Sequence, residues 1–86
     1  MTINVTITPQ DGWVELLATG KNAYVTFNNN GAMFALSTAT PAADLIGHRA
    51  TSKLFDLTTA GTGIPNQALY AKAAGRETTI AVVSEY

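Results

Sequence analysis

Ile3, Val5 and Ile7 alternate with Asn4, Thr6 and Thr8. A period of two is the mark of a strand with one face buried. Pro9-Gln10-Asp11-Gly12 follows, where Pro presets φ and Asp-Gly accepts positive φ, so the chain reverses. A second strand is predicted over residues 13–19, with a turn at Gly20-Lys21-Asn22. A third runs over 23–28, with Val25 and Phe27 on one face and Tyr24 and Thr26 on the other. Asn30-Gly31 is the strongest short hairpin signal, with positive φ expected there. Residues 32–38, apolar on both faces, form the fourth strand.

The middle is less regular. Residues 38–50 carry Pro41 and Gly47, and Asp44-Leu45-Ile46 is long enough for one helical turn at most. Strand character returns over 50–57. Residues 58–66 read as a loop on their Gly, Pro and Asn content. A closing hairpin is predicted from strands at 67–73 and 77–85 around Ala74-Gly75. About seven short strands at this turn spacing, with less than about 10% helix, define an all-β, single-domain antiparallel sandwich or small barrel spanning residues 1–86. Val25, Phe27, Phe34, Leu36, Leu54, Leu57, Leu69, Ile80 and Val82 are expected in its core. Trp13, Tyr24, Phe55 and Tyr70 are expected there as well.

Composition changes this picture in one respect. Charged residues are 13% of the 86-residue chain, against about 25% in an average domain. Thirteen Thr fill much of the gap. Such a surface repels its neighbours weakly and favours packing against other chains. The net charge is −1, without charge runs, so no basic footprint for nucleic acid or an anionic membrane is expected. No apolar run approaches the ~20 residues of a membrane span, and the opening residues have no signal-peptide character. The chain has no Cys, which excludes disulfides and thiolate-bound zinc.

Candidate chemistry is sparse. His48 is the single His, and with Asp44 it makes half a metal site at best. Ser52 and Lys53 are adjacent, so in a strand they point to opposite faces. Asp11, Glu15, Asp44, Asp56, Glu77 and Glu85 read as solvated charges that blunt strand edges. Gly61-Thr62-Gly63 lacks the following helix that a phosphate loop requires. His48, Arg49 and Lys53 form a small basic group without the broad face of a nucleic-acid module. Catalytic, cofactor and metal residues are therefore expected to be none.

The strand at "GWVELLATG", the connector "TPAADLIG" and the close "ALYAKAAGRETTIAVVSE" together resemble the small β-structured virion proteins of tailed bacteriophages, the head decoration and head-fibre class. The resemblance implies a non-enzymatic capsid-stabilising or head-fibre role. It also implies a homo-oligomer, a trimer, bound to a capsid or other virion protein after synthesis in a bacterial cytoplasm. The expected oligomer contacts are Ile3, Val5, Ile7, Tyr70, Ile80, Val82 and Tyr86. A carbohydrate- or peptide-binding β module, using an exposed Tyr and Asn cluster, is the alternative.

Overall fold

The computed structural model describes residues 2–28, 31–50, 55–58 and 67–86. They form eight strands and no helix: β1 Thr2–Ile7, β2 Val14–Leu17, β3 Asn22–Phe27, β4 Ala32–Ser37, β5 His48–Ala50, β6 Phe55–Thr58, β7 Ala68–Ala73 and β8 Thr79–Glu85. Two four-stranded antiparallel sheets result, β1-β8-β3-β6 (sheet A) and β2-β7-β4-β5 (sheet B). The all-β sandwich is thus the architecture.

The pairing is nested. β1 pairs with β8, β2 with β7, β3 with β6 and β4 with β5. Two sheets built from such pairs are the double-sheet jelly roll. One consequence corrects the reading of the turns. β3 and β4 lie in different sheets, and so do β7 and β8. Neither is a hairpin; both connections arch from one sheet to the other. Turn residues specify that a chain reverses, not which strand it then pairs with. The two arches touch where the Ala74 N–H donates to the Gly31 carbonyl at 2.6 Å. Asn29 and Asn30 lie outside the described residues. The stretch 50–57, expected as one strand, is divided between β5 and β6 in opposite sheets. The first turn is as expected: the Asp11 carboxylate accepts from the Thr8 N–H at 2.8 Å, and Gly12 has φ +68°.

Between the sheets lie Ile7, Ala23, Val25, Phe27, Ala81 and Val83 from sheet A. Leu16, Leu17, Ala32, Leu69 and Ala71 meet them from sheet B. Both Leu16 and Leu17 point inward because the β2 register shifts between Glu15 and Leu17, as a bulge does. Phe34 and Leu36 are half-buried against this core. Ile80 and Val82 are not in it: β8 directs Thr79, Ala81 and Val83 inward. Residues 80–83 are all apolar, so the sequence carries no alternation to fix their phase. Leu54, and the side chains of Phe55 and Leu57, lie outside the described set. Thr79, fully buried, donates its hydroxyl to Asn28 Oδ1 at 3.3 Å. The same oxygen accepts the Ile80 N–H at 2.8 Å, pinning β8 as β3 leaves the sheet.

Candidate interaction surface

The two outer faces of the sandwich differ. On sheet B, Trp13, Met33, Ala35, Ala68 and Tyr70 form a second apolar cluster. Residues 38–47 lie over it. The Trp13 indole N–H donates to the Ala42 carbonyl at 3.1 Å. The Lys72 ammonium donates to the Leu45 carbonyl and sits 4.7 Å from the Trp13 ring centroid. The TPAADLIG connector is therefore a strap that covers this cluster. It leaves Leu45 and Ile46 outside, the latter 73% exposed.

Sheet A carries no described strap. Strand phase places Thr2, Asn4 and Thr6 of β1, Ile80, Val82 and Ser84 of β8, and Asn22, Tyr24 and Thr26 of β3 on its outer face. None is charged. Ile80 and Val82 run down the middle, flanked by Thr and Asn. At one end Tyr24 and Tyr86 stack, with ring centroids 4.8 Å apart and planes 29° from parallel. They are 41% and 61% exposed. The Tyr86 N–H, bonded to the Asn22 carbonyl at 3.0 Å, extends the β8 ladder and sets the second ring beside the first.

Of the seven expected contact residues, Ile80, Val82 and Tyr86 share this face. Ile7 is enclosed in the inter-sheet core and Tyr70 lies beneath the strap, so neither presents surface. Val5 is half-buried and Ile3 is 45% exposed, both on the core side of β1. Tyr24, expected in the core, is on the surface. In the alternation Tyr24-Val25-Thr26-Phe27 it is out of phase with the buried Val25 and Phe27, and phase outweighs the size of its ring. The exposure of Leu45 and Ile46 is not legible in the sequence, because a loop has no period to say which way its residues face.

His48 stands on β5, exposed, with its ring 5.3 Å from that of Phe34. Asp44 is exposed in the strap. Ser52, Lys53 and the Gly61-Thr62-Gly63 stretch lie outside the described residues. Among the described residues no pocket opens, and no three His, Asp or Glu side chains gather as metal ligands. No family model matches the chain, and neither a curated protein nor a solved structure is similar to it.

Proposed function

We propose that the protein is a non-enzymatic structural component that works by assembly, as a decoration, stabilising or head-fibre protein on the outside of a tailed-phage particle. The observation that carries this reading is the contrast between the outer faces: the apolar cluster on sheet B is covered by the chain's own strap, whereas among the described residues sheet A presents Ile80 and Val82 between the uncharged outer positions of β1 and β3. Three neighbouring strands with uncharged outer positions and an apolar centre suit a protein partner, since nothing on β1, β8 or β3 there must be desolvated as an ion; Asp56, paired with Tyr24, lies at the β6 edge. Jelly rolls serve in viral capsids and in lectins, which is analogy of fold and identifies no function by itself. The virion placement and the threefold clustering come from the sequence resemblance.

Light scattering coupled to size exclusion tests self-assembly: the expected mass is a multiple of 9.0 kDa. A single-chain mass at every concentration overturns it. Mass spectrometry of purified particles tests the placement, and absence of the protein from them overturns the virion assignment. Val82→Glu, on the exposed side of sheet A, is expected to weaken attachment to the particle without unfolding the chain.

The Tyr24–Tyr86 stack favours a second reading, a carbohydrate-binding module, because exposed aromatic rings offer an apolar face to a sugar. A glycan screen with Tyr86→Ala as control separates the two. Binding that disappears in the variant supports the module; an empty screen removes it.

A further inference from the structure

The four edge strands of the sandwich are not equally protected. Natural edges are blunted by charge, bulges, proline or short length. β2 has four residues, carries Glu15 and is bulged. β5 has three, two of them His48 and Arg49. β6 has four and contains Asp56. β1 has six residues, TINVTI, without charge or proline, and its register with β8 is unbroken. No described strand lies beyond it. Alternate residues of a strand direct N–H and C=O to the same side, so half of β1's groups face away from β8.

Ile3 adds a second observation. It has the same phase as the buried Ile7, yet is 45% exposed. Its flank away from β8 has no neighbouring strand among the described residues.

The third observation is the order of residues. Read about Asn4, the strand Thr2-Ile3-Asn4-Val5-Thr6 is chemically the same in both directions: Thr, β-branched apolar, Asn, β-branched apolar, Thr. A palindrome of this kind is what a twofold axis demands, since each residue then meets its own kind in the opposite copy. A charge at position 4 would face itself across such an axis, and β1 carries no charge.

We infer that β1 pairs antiparallel with β1 of a second copy, centred on Asn4. Thr2 then lies opposite Thr6 of the second copy and Ile3 opposite its Val5. The pairing covers Ile3, completes the outward ladder of hydrogen bonds and joins the two A sheets into one of eight strands. The outer faces carrying Val82 become continuous. The inference rests on the assembly reading above and names its first contact. It gives a twofold pair in place of the threefold cluster that the resemblance implies.

The test uses the full chain. Wild type is expected at twice 9.0 kDa by light scattering at micromolar concentration. Asn4→Lys, at an exposed position, is expected at the single-chain mass with an unchanged circular dichroism spectrum, whereas Val82→Glu stays paired. Asn4→Cys introduces the chain's one thiol, so any disulfide joins two chains. Directly opposite strand residues are close enough for one, and most of the protein is expected to cross-link on mild oxidation. A wild-type oligomer that survives Asn4→Lys and yields no Asn4→Cys cross-link overturns the β1 pairing and leaves assembly standing. A three-chain mass does the same. A single-chain wild type overturns both.

Discussion

Gly47 shows how a single backbone position holds the strap in place. Its φ is +77°, and a Cβ built there would lie 2.7 Å from Trp13 Cη2 and 2.8 Å from the Phe34 carbonyl oxygen. The strap can therefore reach the indole only if residue 47 lacks a side chain. Gly12 is a useful contrast, with φ +68° but open space around it. Gly12→Ala should cost about 1 kcal/mol, the penalty of a left-handed conformation. Gly47→Ala adds overlap with a ring and a backbone carbonyl, which raises the cost to about 2–4 kcal/mol. Trp13 is the single tryptophan, so its emission should shift to the red as the strap lifts. Urea melts followed by fluorescence check both points. Equal costs at the two positions would mean that the strap does not bear on Trp13.

At the scale of the element, β8 is where pattern and structure part. β1 and β3 alternate cleanly, and their inward sets of Val5 with Ile7 and of Val25 with Phe27 are legible from period two alone. In β8 the run Ile80-Ala81-Val82-Val83 is apolar on both faces, and bulk alone would send Ile80 and Val82 inward. The register decides otherwise: Ala81 lies opposite Val5 and Phe27, and Val83 opposite Ile3 and Val25. Small Ala81 faces the core beside bulky neighbours, while the larger pair is left for the outer surface. Val83→Ala should then destabilise by about 2 kcal/mol, the transfer of two methyl groups plus a cavity. Val82→Ala should cost less than about 1 kcal/mol. Reversible denaturant melts of the two variants check the phase, and the reverse order would place the strand one residue out of register. The same logic limits what turns reveal. Asp11-Gly12 and Ala74-Gly75 mark reversals, but whether a reversed strand joins its own sheet or crosses to the other depends on partners tens of residues away.

Sheet assignment belongs to the whole molecule, because alternation looks the same in either sheet. Of the consecutive described strands, only β4 and β5 pair with each other; the rest change sheets. The outermost pair joins Thr2 to Ser84 across nearly the entire chain, and the two hydroxyls meet at 2.8 Å. β8 is central in sheet A, since it holds β1 on one side and β3 on the other. β1 has no other sheet partner among the described residues. A domain of this size has a thin margin of stability, and it cannot lose its central strand and keep two sheets. Deleting residues 79–86 removes Thr79, Ala81 and Val83 from the core and leaves β1 and β3 without the strand between them. The truncated chain should show no cooperative thermal transition and a circular dichroism spectrum without the β band. Adding a synthetic peptide of residues 79–86 in excess should restore part of both, because it supplies the strand that β1 and β3 both pair with in the intact chain. A truncated chain that melts cooperatively without the peptide would show that sheet A is not organised around β8.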